Sequence, residues 1–170
     1  WINLKTLLDK TLVPVMGVSG GKIQALLDMK GIPYVNSNAL ASELSFDKWY
    51  CNQFLSRFGI PVAKSLFLKS RNQYTGEQIL DELGLPCFVK PNKAGSSFGI
   101  SKVKTEAELP IAIEVAYKED NEIIIESFLD GTEVSVGVIN YKGEVIVLPI
   151  TEIVSDNDFF DYEAKYEGKS

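Results

Sequence analysis

The segment KPNKAGSSFGISKV begins at Lys90 and combines residue types that bind anions. In it, Gly95 and Gly99 bracket Ser96 and Ser97. Glycines let the main chain approach a ligand closely and turn its N–H groups toward one point, where phosphate oxygens can be held. The serine hydroxyls would add donors, and Lys90 would add positive charge. For the loop alone, a solvent-exposed hairpin tip is an equal alternative, whereas the order of residues excludes a Walker-type P-loop.

A second group of side chains lies in IIIESFLDGTE, where Glu126 closes an apolar, strand-like run. Phe128 and Leu129 follow, and Glu133 stands seven residues after Glu126. This order suits an adenosine pocket. In such a pocket a carboxylate or backbone group meets the exocyclic amine, apolar side chains sandwich the base, and a second carboxylate accepts from the ribose hydroxyls. Taken alone, the segment is better explained by a hairpin with solvent-exposed acids.

A third segment, FFDYEAKYEGKS, holds four aromatic residues between Phe159 and Tyr166, interleaved with charged residues. The spacing of its apolar residues fits neither a regular strand nor a regular helix. The pattern predicts a loop that covers a site, with Lys165 and Tyr166 placed to reach into it. A partner interface and a short amphipathic helix on the core are the alternatives.

Composition excludes several classes of function. The net charge of −6 over 170 residues argues against general binding to nucleic acid or to an anionic membrane. The chain contains no histidine, which removes histidine-based catalytic triads and most zinc sites. Its two cysteines, Cys51 and Cys87, are too few for a disulfide framework and favour a reduced, cytoplasmic protein.

These segments need regular elements to position them, and two helices are predicted before the first long strand. KIQALLDMKGIP has the apolar spacing of a helix that ends at Gly31 and Pro33. SFDKWYCNQFLSRFGIP predicts a second helix, with Ser45 as its N-cap and with Gly59 and Pro61 ending it.

The rest of the chain mixes strands with short helices. AKSLFL, PCFVKP, GISKV and NEIIIESFL read as strands, and GEQILDELG as a short helix closed by Gly84. Thr105 and Glu108 form a capping-box pattern for a helix toward Tyr117, although Pro110 allows a later start with the proline in the first turn. TEVSVGVIN and VIVLPITEIV, joined by a turn at YKGE, predict antiparallel strands. The fold class is therefore α+β, with short helices against a mostly antiparallel sheet.

In combination, four stretches resemble the D-alanine–D-alanine ligases of the ATP-grasp superfamily. They are GIPYVNSNALASELSFDKWYCNQFLSRFGIPVA, ELGLPCFVKPNKAGSSFGISKV, IIIESFLDGTEVSV and FFDYEAKY, in family order from about Lys22 to the end of the chain. The resemblance implies a helical linker over residues 22–60, the central ATP-grasp subdomain over 61–130, and the start of the C-terminal subdomain with a lid loop over 131–170. Residues 1–21 do not match what the family carries there and are left unassigned.

The resemblance also implies roles for individual residues. Lys48 and Lys90 would hold ATP phosphates, and the loop from Gly95 to Gly99, with Ser96 and Ser97, would close over the γ-phosphate. Glu126, Phe128, Leu129 and Glu133 would contact adenine and ribose, with Phe159 as a further wall of the adenine site. Ser96, Lys165 and Tyr166 would act at the reacting groups: Ser96 hydrogen-bonds toward the lid tyrosine, Lys165 reaches phosphate, and Tyr166 covers the second D-alanine. Phe160 stands where the family usually has tyrosine and is given no role.

The activity implied is ATP-dependent joining of two D-alanines through a D-alanyl phosphate, which yields a dipeptide for peptidoglycan. ATP, Mg²⁺ and D-alanine are the expected ligands, with a homodimer expected for the full-length protein and no nucleic acid or membrane partner. The magnesium ligands and an oxyanion-stabilising arginine are expected beyond Ser170, and most of the N-terminal domain is expected to be absent. The chain is therefore expected to be a fragment that is inactive alone. Another ATP-grasp carboxylate–amine ligase and a noncatalytic nucleotide-binding module are the alternatives.

Overall fold

The computed structural model describes residues 20–154 and the backbone of Val13–Pro14. Its helices are α1 Lys22–Met29, α2 Ala39–Phe46, α3 Lys48–Arg57, α4 Gly76–Leu83 and α5 Leu109–Tyr117, the last preceded by a 3₁₀ turn, Glu106–Glu108. Its strands are β1 Val13–Pro14, β2 Tyr34–Val35, β3 Ser65–Leu68, β4 Cys87–Pro91, β5 Ser101–Val103, β6 Ile123–Ser127, β7 Val134–Ser135, β8 Val138–Tyr141, β9 Glu144–Val147 and β10 Thr151–Glu152.

The central sheet has four antiparallel strands in the order β3–β6–β4–β5. The run of isoleucines in β6 occupies the middle of this sheet, where Ile123, Ile124 and Ile125 are fully buried. Such a continuous apolar run is typical of a strand that is covered on both faces. All four predicted strands of this region are confirmed, and the α+β class with a mostly antiparallel sheet is confirmed with them.

The hydrophobic core lies on one face of the central sheet. Strand β4 alternates buried Cys87, Val89 and Pro91 with the partly exposed Phe88 and Lys90, as the two-residue period of a strand requires. Helices α4 and α5 cover the buried face. The core cluster comprises Leu68, Ile79, Leu83, Cys87, Val89, Val103, Leu109, Ala112, Ile113, Ala116, Ile123 and Ile125.

The segment before β3 differs from the sequence prediction. Ser45 is not the N-cap of the second helix, because it lies inside α2, a separate helix that the sequence reading missed. Asn38 caps α2 by accepting a hydrogen bond from the backbone N–H of Ala41 at 2.8 Å. Asp47 then takes an extended conformation between the two helices and caps α3 by accepting from the Tyr50 N–H at 3.0 Å. A carboxylate at this position also suits the positive end of the helix dipole.

The other predicted helix ends are partly right. Gly84 follows α4 with φ of 72° and accounts for the end of that helix, as predicted. The Thr105–Glu108 capping box is wrong, since the Thr105 side chain makes no capping hydrogen bond there. The helix starts later, at Leu109, with Pro110 in its first turn. A proline costs little at that position because the first N–H groups of a helix lack intrahelical partners.

Beyond β6 the predicted antiparallel pairing is confirmed. Strands β8 and β9 form a hairpin in which Val138 pairs with Val147, and Lys142 and Gly143 make its turn with φ of 54° and 85°. Strands β7 and β10 pair antiparallel with each other. Within residues 20–154, every helix is too short or too polar to cross a membrane.

Candidate functional site

A cavity of about 710 Å³ lies on the face of the central sheet opposite the core. Its walls come from α3, β4, β6, the loop after β6 and the glycine- and serine-containing loop between β4 and β5. Six residues that the sequence predicted for a nucleotide site line it together: Lys90, Ser97, Glu126, Phe128, Leu129 and Glu133. The fold thus brings two segments that are distant in sequence into one site.

Strand register explains how Lys90 meets Glu126. In the β4–β6 pair Phe88 stands directly opposite Glu126, and Lys90 lies two residues further along the same face. Diagonal neighbours of this kind are within reach of long side chains. The Lys90 Nζ atom lies 2.6 Å from Glu126 Oε2, and the two side chains are only 24% and 10% exposed. This partly buried ion pair forms the polar centre of the cavity.

Asn52 completes the environment of Glu126, and the sequence reading missed it. Its side-chain Nδ2 donates to Glu126 Oε1 at 2.6 Å. Asn52 lies four residues after Lys48 on α3, so the two residues share a helix face. The four-residue spacing from Lys48 is the sequence feature from which Asn52 could have been predicted as a site residue. Each oxygen of the buried carboxylate therefore has one donor, a neutral amide on one side and an ammonium group on the other.

Aromatic rings form the apolar wall of the cavity. Phe88 and Phe128 stack with ring centroids 6.3 Å apart and an angle of 29° between their planes. Lys102 places its Nζ 4.7 Å from the centre of the Phe128 ring. Phe88 was also missed, although its position two residues before Lys90 puts it on the same face of the strand. Two rings beside a carboxylate are suited to a flat, nitrogen-containing base.

The loop between β4 and β5 has an unusual backbone. Ser96 and Ser97 both take left-handed conformations, with φ of 54° and 59°, and Gly99 follows with φ of 68°. Residues other than glycine adopt this region at a cost, and consecutive examples are typical of loops with a binding role. A side chain at Gly99 would come within 2.8 Å of the Pro91 ring and of Glu119, so the return of the loop requires glycine.

Lys48 lies at the base of this loop and outside the walls of the cavity. Its Nζ donates to three backbone carbonyls, those of Pro91 at 3.0 Å, Asn92 at 3.2 Å and Ala94 at 2.9 Å. Burial, and next to it repulsion by the Lys90 ammonium group, lower the pKa of Lys48. In this arrangement Lys48 fixes the start of the loop.

Further contacts tie the same stretch to the N-terminus of α3. The fully buried Asn92 accepts from the Trp49 N–H through Oδ1 at 2.9 Å. Lys93 makes an ion pair with Asp47 at 3.2 Å, and its N–H donates to Asp120 at 2.7 Å. Burial opposes ionisation of Asp47, but the Tyr50 N–H and the Lys93 ammonium group hold the pKa of its carboxyl below the ordinary value. Residues 91–94, here called the loop stem, are thus bound to α3 before the loop begins.

Comparison with known proteins agrees with this architecture. A family profile described as "D-ala D-ala ligase C-terminus" matches residues 54–170. The chain belongs to the D-alanine–D-alanine ligase family. Named D-alanine–D-alanine ligases from Flavobacterium johnsoniae and Phocaeicola vulgatus are 67% and 46% identical to it over 150 and 164 residues. These matches cover 88% and 95% of this chain but 46% and 51% of the relatives. The chain therefore spans about half the length of the curated relatives it matches.

Solved structures of this ligase family share the fold. VanG D-Ala:D-Ser ligase from Enterococcus faecalis superimposes with a TM-score of 0.80 at 38% identity, over 92% of this chain and 47% of that one. The D-alanine–D-alanine ligase from Coxiella burnetii gives a TM-score of 0.77 at 27% identity, over 86% of this chain and 45% of that one. The predicted ATP-grasp fold is confirmed by these likenesses.

The remaining predicted residues of this ligase-family site fall into two groups. Gly95 and Ser96 lie in the described loop, while Lys48 holds the loop stem. Phe159, Lys165 and Tyr166 lie outside the described residues, as does the whole FFDYEAKY segment. Among residues 20–154 no three His, Cys, Asp or Glu side chains are grouped so as to hold a metal ion. The predicted division into residues 22–60, 61–130 and 131–170 stays a prediction.

Proposed function

We propose that the full-length protein ligates two D-alanines with hydrolysis of ATP to ADP and phosphate. The observation that carries this proposal is the cavity in which Lys90, Glu126 and the ring of Phe128 meet beside the left-handed loop. Membership of the D-alanine–D-alanine ligase family supports it independently.

The cavity suits ATP in size and chemistry. Small-molecule sites usually measure ~300–1,000 Å³, and this cavity holds about 710 Å³. The rings of Phe88 and Phe128 would pack on the base, with Glu126 beside its edge and Glu133 near the ribose. Lys90 and the N–H groups of the loop would hold the phosphates.

The proposed reaction has two steps. A carboxylate oxygen of the first D-alanine bonds to the γ-phosphorus as the bond from that phosphorus to ADP breaks, which gives D-alanyl phosphate and ADP. The amine of the second D-alanine then bonds to the acyl carbon, phosphate leaves, and the amine loses a proton. Lys90 and the loop N–H groups offset negative charge on the phosphates, and the closed loop excludes water.

Roles proposed from family resemblance complete the site. Lys165 would reach phosphate, Tyr166 would cover the second D-alanine, and Phe159 would extend the adenine wall. Ser96 would hydrogen-bond toward Tyr166. Tyr166 also favours D-alanine over D-lactate as the second substrate.

Magnesium is the metal that the family resemblance implies. Residues 20–154 contain no group of three His, Cys, Asp or Glu side chains that could hold it. From the family resemblance we propose that its ligands lie beyond Ser170, and the roles given above do not depend on it. A cytoplasmic location, supply of dipeptide to peptidoglycan and a homodimer of the full-length protein are further parts of the proposal.

Ligation of D-alanine to D-serine is the second candidate. The likeness to VanG D-Ala:D-Ser ligase, with 38% identity, favours it, while the 67% identity to a named D-alanine–D-alanine ligase favours the first candidate. The two differ only in the amine that attacks the acyl phosphate.

The decisive experiment gives the full-length protein ATP and Mg²⁺ with single amino acids and measures ADP release and product mass. Release that requires D-alanine, is absent with L-alanine and yields the D-alanine dipeptide is expected. A mixed D-alanyl-D-serine product at equal amino-acid concentrations would replace the first candidate with the second. ADP release that is the same with unrelated amino acids would overturn both.

A further inference from the structure

Glu126 is bound in the cavity by two donors of different character. Only 8% of the residue is exposed, and its two carboxylate oxygens lie 2.6 Å from Asn52 Nδ2 and 2.6 Å from Lys90 Nζ. A buried carboxylate that loses a donor without replacement is strongly disfavoured. The orientation of the Glu126 carboxylate in a ligand-bound cavity therefore depends on which of its two donors stays in place.

Lys90 is the donor that a phosphate ligand would draw away. Its ammonium group is a flexible point charge, and the phosphates of a bound nucleotide compete with Glu126 for it. The Asn52 amide is neutral and lies on α3, so phosphate attracts it less strongly than it attracts the Lys90 ammonium group. Oε1 of Glu126 would stay fixed on Asn52 while Oε2 exchanges Lys90 for a new donor.

We propose that Asn52 is a positioning residue for nucleobase recognition, which holds the Glu126 carboxylate so that Oε2 accepts the 6-amino group of a purine once Lys90 binds phosphate. The proposal rests on the nucleotide site of the proposed function. In this proposal Asn52 links recognition of the base by Glu126 to binding of the phosphates by Lys90. Asn52 lines that cavity itself, as do Lys90, Glu126 and Phe128.

The consequence is selectivity at position 6 of the purine. An oriented carboxylate accepts from the 6-amino group of ATP but meets the 6-oxo group of inosine triphosphate (ITP) as another acceptor. Without Asn52 the carboxylate is free to turn toward Lys90, and the distinction between the two nucleotides weakens. A residue with a merely structural role would change the binding of both nucleotides equally.

The test compares dissociation constants for ATP and ITP, measured by titration calorimetry on the full-length protein. Asn52→Ala is expected to weaken ATP binding ~10-fold and ITP binding no more than ~2-fold, because it removes a hydrogen bond to a charged group. Asn52→Asp, which keeps the shape but replaces the donor with an acceptor, should lower the ATP/ITP ratio at least as much. Asn52→Gln, which keeps an amide donor, should recover at least half of the ratio.

Gln53→Ala is the matched control, since Gln53 is the exposed neighbouring amide on α3 and does not line the cavity. Its ATP/ITP ratio should equal that of the wild type. Parallel weakening of both nucleotides in Asn52→Ala and Asn52→Asp, or a ratio as in Gln53→Ala, would overturn the role of Asn52. Calorimetry measures nucleotide binding and does not depend on ligase activity. If ADP release did not depend on D-alanine, the proposed function would be contradicted, but the ATP/ITP binding ratios would still test the role of Asn52.

Discussion

Two faces of the same four strands carry different properties of the molecule. On one face Leu68, Val89 and Ile125 are fully buried and pack with side chains of α4 and α5. On the other face Lys90 and Glu126 meet at the cavity. Because side chains alternate along a strand, adjacent residues such as Ile125 and Glu126 belong to different faces. Substitutions at two neighbouring positions should therefore be detected by different measurements, one by protein stability and the other by nucleotide binding.

The largest expected effect is on the core face. Ile125→Ala removes three buried carbon atoms from the middle strand and should lower the free energy of unfolding by ~2–5 kcal/mol. Denaturant unfolding of the full-length protein measures this, and ATP affinity of the folded fraction should change less than about twofold. A large loss of ATP affinity at unchanged stability would remove the distinction between the faces.

On the cavity face, Lys90→Met should lower ATP affinity, which Ile125→Ala leaves nearly unchanged. The methionine keeps the apolar stem but removes the charge, so ATP binding should weaken ~100-fold, equivalent to ~2–3 kcal/mol of charged hydrogen bonding. Stability should also fall, because the buried Glu126 Oε2 loses its ammonium partner while Oε1 keeps Asn52, so ATP affinity is the quantity that separates this variant from Ile125→Ala. Calorimetric titration with ATP measures the loss of ATP affinity, and thermal unfolding measures the change in stability. Unchanged ATP affinity would show that Lys90 serves only as the partner of Glu126.

A smaller, pH-dependent effect is expected at Asp47, which joins the loop stem to α3. The pKa of its carboxyl is lower in the folded protein than the ordinary 3.8, so its contribution to stability is full above that value and is lost as pH falls through the lower folded pKa. Asp47→Asn keeps a capping oxygen but loses the ion pair with Lys93, so it should cost about 1 kcal/mol at pH 7 and flatten this acidic part of the stability profile. Unfolding measured between about pH 2 and pH 7 tests it. An acid dependence identical to that of the wild type would mean that other carboxyl groups account for it.

The smallest effect is expected at an exposed ion pair. Lys64 and Glu82 form an ion pair at 3.1 Å, but their side chains are 59% and 49% exposed. Lys64→Ala should therefore change the free energy of unfolding by less than ~0.5 kcal/mol. This variant sets the baseline against which the other three are compared. A loss above ~1 kcal/mol would show that the pair is less screened than its exposure indicates.

The elements of the central sheet were predictable because each strand carries its own local signal. The isoleucines of β6 and the alternation in β4 required no long-range information. Helix α2 was missed because the predicted helix was started at Ser45, although Asn38 offered a cap seven residues earlier. The boundary between α2 and α3 is set by the extended backbone of Asp47. The sequence around Asp47 does not specify that boundary, because other nearby residues could also end a helix.

For the site, the sequence predicted several side chains but not all of their partners. Lys90 and Glu126 were both predicted, yet their contact follows from the β4–β6 register, which the residue pattern alone does not specify. Asn52 and Phe88 were missed because an asparagine in a helix and a phenylalanine in a strand are ordinary residues until the sheet is assembled. The contacts of Lys48 with three carbonyls likewise depend on how α3 meets the loop stem.

The attachment of the loop stem to α3 limits how far the loop can travel. Residues 91–94 are bound on one side and β5 begins at Ser101, so residues 95–100 are held at both ends. Six residues measure at most about 22 Å when extended, so the tip of a loop held at both ends lies no more than about 11 Å from its ends. A loop of this length is long enough to contact a phosphate inside the cavity but too short to extend across the surface of the protein.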